Sequence, residues 1–506
     1  MTPIPVLHTP RHRTACDNPA SLTSRFPTPA KAATFVRTIG PSSLAPRLTE
    51  SRGSHVQHLL AKTPWFVFLI LVSVCHPARA DDLRPLWAQE QKDLSITPPT
   101  HPIPATFFCT HAPMLGKQQG AISPAITPAD VKGWPGNGYR VFGGMPPCDW
   151  TPERTKVLGA GSLSWGGVEY VKGEWRWEMT DPGINILSRN LPPDNAGLLV
   201  NLKSIPPWAA SDPAADGLVW APQIYRGSSS VPADMKDWEN YLTRLVTRYK
   251  GRIRYYETPN EANHEMKLKP QQILENNRVM YRTIKRIDPN AVVVGPATAG
   301  TPTMAEWTGE YMAIGGRDIT DVVSCHFYGQ PEAIPYMYGR VKAELRRAGA
   351  GDKPVWNSES GYLADSNEAA GPDKNLESRR AKTARAFLLQ WALGIQRWYV
   401  FGDVNSPGMK QAIEQTQRWM TGAVMTRCEV KNLVWKCEFR RKGRRYLVAW
   451  AGPKYPHQLD EKLEYPDHAV AIVPNGFRSL ETLSGERKTI TGNAIPVSPT
   501  PVMLSH

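Results

Sequence analysis

The chain has 506 residues, 41% of them hydrophobic, with 60 Lys and Arg against 46 Asp and Glu. That is enough apolar material for one large core and a smaller one, and it excludes the charge-rich, apolar-poor composition of a disordered protein. The net charge of +14 is uneven: residues 1 to 80 hold nine Lys/Arg and two Asp/Glu, so the rest carries 51 minus 44, or +7, which suits solubility or an anionic polymer and gives no ground for a nucleic-acid partner.

Residues 1 to 60 are rich in Pro, Ser, Thr and Arg and nearly free of acidic side chains, a composition that builds no core. They read as a disordered leader, either sequence upstream of the true start or a cleaved targeting segment. Residues 65 to 74 are an apolar run of ten, preceded by Lys62 and followed by the small-x-small pattern Ala78-Arg79-Ala80. This is the layout of a secretory signal peptide cleaved near Ala80, and it is shorter than the roughly 20 residues that span a bilayer. The expected location is secreted or periplasmic, with no integral membrane segment. Val74 before Cys75 is bulkier than a lipid-attachment motif allows, which argues against a lipid anchor.

Five cysteines follow residue 80: Cys109, Cys148, Cys325, Cys428 and Cys437. Cys428 and Cys437 flank an expected hairpin and are the best disulfide candidates in an oxidising compartment. Cys109 and Cys148 each follow an expected strand, and their pairing stays open. No Cys-x-x-Cys or His-x-x-x-His spacing suggests a structural zinc site, and neither a metal nor an organic cofactor is expected.

From residue 105 to 402 short apolar, β-rich runs alternate with longer amphipathic ones. The strand candidates are 105 to 110, 138 to 142, 197 to 202, 253 to 257, 291 to 294, 321 to 325, 354 to 357 and 397 to 401. Between them, Trp238, Leu242, Leu245, Val246 and Tyr249 share one face at helical spacing, as do Ala384, Phe387, Leu388 and Trp391; these stripes are core. Eight such βα units predict an α/β fold, a (β/α)8 TIM barrel over residues 81 to 424, with catalytic groups at the C-terminal strand ends. A doubly wound sheet would alternate too, but no Gly-x-Gly-x-x-Gly follows the first strand. After about residue 425 short alternating segments at 433 to 439, 445 to 450, 468 to 473, 479 to 483 and 501 to 504 predict a small C-terminal antiparallel β-sandwich domain over residues 425 to 506. The basic run Arg440 to Arg445 tips a hairpin there. Prolines 496, 499 and 501 lead into the last segment, which reads as an edge strand.

Two glutamates stand where barrel strands meet loops: Glu261 in Tyr-Tyr-Glu-Thr-Pro-Asn-Glu-Ala-Asn after the fourth strand, and Glu359 in Trp-Asn-Ser-Glu-Ser-Gly-Tyr after the seventh. A lone loop glutamate is ordinarily solvated. Two on separate strands facing one barrel mouth are the minimum equipment for cleaving a glycosidic bond, one as general acid and one as nucleophile or base. His111 and Arg140, at the ends of strands one and two, line the same mouth and could bind sugar hydroxyls or a carboxylate. Trp208, Trp398 and Tyr399 offer faces for sugar stacking, although such rings near strand ends are as often core. Glu257 points into the barrel, where it needs a buried partner.

These segments, with Pro-Pro-Trp-Ala at 206 to 209 and Cys-His-Phe-Tyr at 325 to 328, resemble the clan of retaining TIM-barrel glycoside hydrolases, and glycoside hydrolase family 39 above the others. The resemblance covers about residues 105 to 504 and is specific at the two glutamates. It implies that Glu261 is the acid/base, that Glu359 is the nucleophile forming a glycosyl-enzyme intermediate, that Asn260 binds the sugar 2-hydroxyl, and that His326 and Tyr328 orient the pair. The family pattern Asn-Glu-Pro is Asn260-Glu261-Ala262 here, so the particular substrate does not carry over. The resulting expectation is a secreted, retaining, endo-acting hydrolase of extracellular or cell-envelope polysaccharide, working as a monomer on a polysaccharide or oligosaccharide. An exo-acting β-xylosidase and a noncatalytic carbohydrate-binding protein on the same fold are the alternatives.

Overall fold

The computed structural model describes residues 86–112, 128–142, 163–192, 195–217, 226–363, 373–458 and 462–506. The segments expected to be a leader and a signal peptide, and Cys148, lie outside them. Among the described residues no helix is long and apolar enough to cross a membrane.

The first strand, β1 (Leu94–Ile96), is followed by eight parallel strands: β2 (Phe108–His111), β3 (Gly138–Phe142), β4 (Gly197–Asn201), β5 (Tyr255–Glu257), β6 (Val292–Thr298), β7 (Val322–Cys325), β8 (Val355–Ser360) and β9 (Trp398–Val400). Strands β2 to β9 close into a barrel, with β9 pairing back onto β2. Helices fill the connections: α1 (Asp181–Arg189), α2 (Met235–Tyr249), α3 (Pro270–Ile287), α4 (Met304–Ala313), α5 (Ile334–Arg347), α6 (Leu376–Ala392) and α7 (Pro407–Met420). In α2 the side chain of Asp234 caps the first turn by accepting from the Lys236 N–H, and the expected stripe from Trp238 to Tyr249 is buried. Asn375 caps α6 in the same way, through the N–H groups of Glu377 and Ser378.

Alternation along the strands divides the barrel interior into two layers. Cys109, Leu199, Tyr255, Val294, Trp356 and Tyr399 form one apolar cluster. One step further toward the C-terminal ends the inward positions are polar: His111, Arg140, Asn201 and Glu257, all buried. The sequence thus places its apolar side chains low in the barrel and its chemistry at the mouth.

The C-terminal part contributes β10 (Val424–Lys431), β11 (Val434–Arg441), β12 (Arg444–Ala451), β13 (Val470–Ile472), β14 (Ser479–Glu481), β15 (Arg487–Thr489), β16 (Ala494–Pro496) and β17 (Val502–Ser505). A seven-stranded antiparallel sheet runs β1-β10-β11-β12-β17-β14-β15, and β13 pairs with β16 in a second sheet. The N-terminal strand β1 therefore completes the C-terminal sheet. The basic run does tip a hairpin: Lys442 and Gly443, both at positive φ, join β11 to β12, the geometry that matches strand twist in two-residue turns. Cys428 and Cys437 are directly opposed on β10 and β11 and form a disulfide, while Cys109 and Cys325 are buried thiols. One expectation is corrected. Strand β17 is not an edge strand: it is paired on both sides, to β12 and β14, because the three prolines all precede Val502 and leave the N–H groups of the strand itself intact.

Candidate active site

Glu359 sits near the end of β8, and strict alternation from the inward Trp356 would turn it outward. Asn357 pairs with Trp398 and Ser360 with Val400, so β8 carries one residue more than β9 over this stretch. That bulge returns Glu359 to the barrel mouth and turns Ser360 out, where its hydroxyl accepts from the Trp398 indole at 2.8 Å. Glu261 reaches the same mouth from the loop after β5, with its backbone in the left-handed region at φ +47°. Its N–H donates to Ala297 O at 2.9 Å, which holds a conformation that costs a non-glycine residue about 1–3 kcal/mol.

The two carboxyl groups meet. One oxygen of each, together with a ring nitrogen of His326, lie within 4.8 Å of one another. This is close to the roughly 5 Å of a double-displacement glycosidase and well inside the ~6.5–9.5 Å that leaves room for a directly attacking water. Both residues are buried, Glu261 at 5% and Glu359 at 7% exposure.

Their surroundings differ. The carboxylate of Glu359 accepts from Arg140 Nη1 at 2.5 Å and from the Tyr328 hydroxyl at 2.8 Å. Burial alone would raise its pKa, but the charges of His326 and Arg140, with the Tyr328 bond, pull it down to about 2. Glu261 has His326 Nδ1 at 2.6 Å from its Oε1. There burial dominates and raises the pKa, assisted by the charge of Glu359 and only partly opposed by His326. One carboxyl is held ionised and its neighbour is biased toward the protonated form, the division of labour that paired acids require. Burial pushes His111 down to about 3, so it stands as a neutral imidazole; its Nε2 is 3.4 Å from Ser358 O.

Arg140 organises the floor. Fully buried, it donates from Nε to Glu257 Oε2 at 2.7 Å, from Nη1 to Glu359 and from Nη2 to Asn260 Oδ1 at 2.6 Å. Glu257 thus has its buried partner, and Asn201 Nδ2 adds a bond to the same oxygen at 3.1 Å. On its far side Asn260 Nδ2 donates to Glu265 Oε1 at 3.0 Å, and Lys203 Nζ lies 2.9 Å from Glu265 Oε2. The sequence reading missed this Glu265 and Lys203 pair. The available signals were weak: a glutamate one helical turn beyond Glu261 and a lysine just past the third barrel strand. Glu261, His326 and Glu359 also have the spacing of a cation site, but Arg140 and Tyr328 already occupy the oxygens of Glu359, so the donor set suits a carboxylate pair better than a metal.

Of the nine residues assigned from sequence, the structure gathers Glu261, Glu359, Asn260, His326, Tyr328, His111 and Arg140. Trp398 is a correction. Trp398 points outward and packs edge-on against Phe387 of α6, ring centres 4.4 Å apart, at 1% exposure. Trp208 meets Trp165 edge-on at 5.4 Å, donates to Glu169 O and has Lys172 over its ring; none of these contacts is with the carboxylate cluster. Tyr399 belongs to the apolar layer low in the barrel and offers no face.

Two buried, oppositely tuned carboxyl groups thus stand at the ends of the fourth and seventh strands of a closed parallel barrel, and that fold is glycoside hydrolase family 39-like. Solved structures that share it include a family 39 glycoside hydrolase from Bacteroides cellulosilyticus, at 15% identity and TM-score 0.55 over 79% of this chain and 81% of that one. A monomeric β-xylosidase from Caulobacter crescentus matches at 16% identity and TM-score 0.53, covering 81% and 98%. The GH39 enzyme from Xanthomonas axonopodis pv. citri matches at 16% identity and TM-score 0.50, covering 81% and 97%. At these identities the likeness is one of fold. No protein-family model and no curated protein sequence matches the chain.

Proposed function

We propose that the chain is a retaining O-glycosyl hydrolase that cleaves an extracellular or cell-envelope polysaccharide internally, exported by the apolar segment before Ala80 and active as a monomer. The observation that carries the chemistry is the approach of Glu261 and Glu359 to within 4.8 Å with opposite protonation bias. In the first step a Glu359 oxygen attacks the anomeric carbon while Glu261 gives its proton to the departing oxygen. The glycosidic bond breaks and a glycosyl ester forms on Glu359. In the second step Glu261, now a carboxylate, takes a proton from water as that water attacks the same carbon, and the ester bond to Glu359 breaks. Two displacements restore the starting anomeric configuration.

Arg140 and Tyr328 hold Glu359 in line and share its charge before it reacts. Asn260, fixed by Arg140 and Glu265, is placed to bond the sugar 2-hydroxyl beside the scissile bond. The test is incubation of the purified protein with a panel of polysaccharides followed by product analysis by mass. A ladder of oligosaccharides supports internal cleavage, monosaccharide alone replaces it with the exo-acting reading, and binding without any product replaces both with the noncatalytic one.

A further inference from the structure

Beside the carboxylate cluster the described residues enclose a cleft of about 430 Å3, within the size range of small-ligand sites. Its inner end is Tyr328, whose hydroxyl donates to Glu359, and His264, whose N–H donates to Glu261 O at 2.7 Å. The floor is apolar: Met304, Ala305, Ala333 and Met337. The outer wall comes from elsewhere in the chain. Tyr336 on α5 meets His457, from the loop after β12, with ring centres 5.0 Å apart and edge-on, and Leu86 from the N-terminal segment joins them.

That wall is built rather than incidental. The backbone N–H of Gln91 donates to Lys454 O at 2.7 Å, and that of Lys454 donates to Glu464 O at the same distance. Arg340 lies over the Tyr336 ring at 5.9 Å and donates to Pro302 O at 3.1 Å. Burial pushes His457 down to about 4, so near neutral pH its ring is uncharged and presents a flat, weakly polar face. Tyr336 is 40% exposed, available to a ligand on its open side.

Which part of a substrate would lie here follows from proton transfer. The departing oxygen must sit against Glu261, so the sugar it carries lies on the side of the Glu261 loop, and the cleft begins there. An apolar floor with aromatic walls suits the C–H faces of pyranose rings. We infer that Tyr336 and His457, the latter supplied by the C-terminal β-domain, together select the length of the departing saccharide that lies in this cleft. The inference rests on the glycosidase reading above.

The experiment uses the full chain and linear xylo-, cello-, manno- and galacto-oligosaccharides, with cleavage positions assigned by mass. For the series that wild type cleaves, kcat/KM is compared between a leaving group of one sugar and a leaving group of three. Wild type is expected to favour the longer one, and His457→Ala and Tyr336→Ala are each expected to reduce that long-to-short ratio about three- to tenfold. Tyr336→Phe, which keeps the ring face, is expected to restore it. A ratio that stays at the wild-type value in both alanine variants, or that Tyr336→Phe fails to restore, overturns the inference while leaving the hydrolase standing. A wild-type chain that cleaves none of these nor any polysaccharide of the panel overturns the hydrolase reading, and the inference with it.

Discussion

Glu261 and Glu359 are chemically identical, so their neighbours must tell them apart. Arg140 and Tyr328 favour the anion at 359, while burial beside that anion favours the acid at 261. Activity then requires Glu359 ionised and Glu261 protonated. The profile of kcat/KM against pH should rise on its acid side at low pH, as Glu359 titrates near 2, and fall on its alkaline side above the ordinary carboxylate range, as Glu261 loses its proton. Glu261→Gln should remove the alkaline limb and lower kcat by roughly 10²–10⁴-fold; a limb that persists in that variant assigns the acid elsewhere. Stability follows the same signs. A group whose pKa is raised on folding lets the unfolded chain ionise first, so Glu261 lowers stability as pH climbs from the ordinary carboxylate value through its raised one. Glu359, depressed, adds stability above the ordinary value and loses it as pH falls toward 2. Glu261→Gln should therefore raise the melting temperature relative to wild type at pH 7, and the gain should shrink toward pH 4. Thermal melts across that range check it, and a gain that is constant with pH would contradict the assignment.

At the level of elements, the site depends on a local irregularity that no periodic reading contains. Short apolar runs located the eight barrel strands, yet period-two alternation along β8 turns Glu359 the wrong way, and only the extra residue of that strand brings it inward. The same limit explains Trp398: its outward orientation follows from its position in β9, whereas a motif reading notes only an aromatic near a strand end. Glu261, Glu359, Asn260, His326 and Tyr328 were legible because each falls in a short motif at a strand end, even with Ala262 where the family pattern has proline. Arg140 was legible because it falls toward the end of the second barrel strand. Glu265 and Lys203 were not, since their role exists only once β4 and the loop after β5 are side by side. In the β-domain the reading missed β10, β15 and β16, where exposed charged residues and prolines blur the alternation. The β10–β11 pair is tied by Cys428–Cys437, closing nine residues of sequence separation, for which loop-closure entropy predicts about 2–3 kcal/mol. Cys428→Ser should lower unfolding stability by that amount under non-reducing conditions and should make no difference in the presence of a strong reductant.

For the molecule as a whole, the barrel and the C-terminal sheet share a core. One cluster runs from Phe107, Phe387 and Trp391 through Trp419 and Met425 to Trp435 and Trp450. A buried polar contact crosses the same junction: Glu332, just before α5, accepts from the Trp450 indole at 2.9 Å and lies 3.4 Å from Arg385 of α6. Removing one member of a buried ion pair strands the other charge, so Glu332→Ala should destabilise the whole unit by about 3–5 kcal/mol, read as one cooperative transition in denaturant. Loss of the C-terminal part alone, with the barrel still folded, would contradict a shared core. In the proposed mechanism the two carboxyl groups act on one anomeric carbon from within 4.8 Å of each other. Proton NMR of the first product formed from a substrate of known anomeric configuration tests it most directly. The account predicts that the new reducing end appears with the configuration of the bond that was cut and only later mutarotates; a first product of inverted configuration would require carboxyl groups several ångströms farther apart and would contradict it.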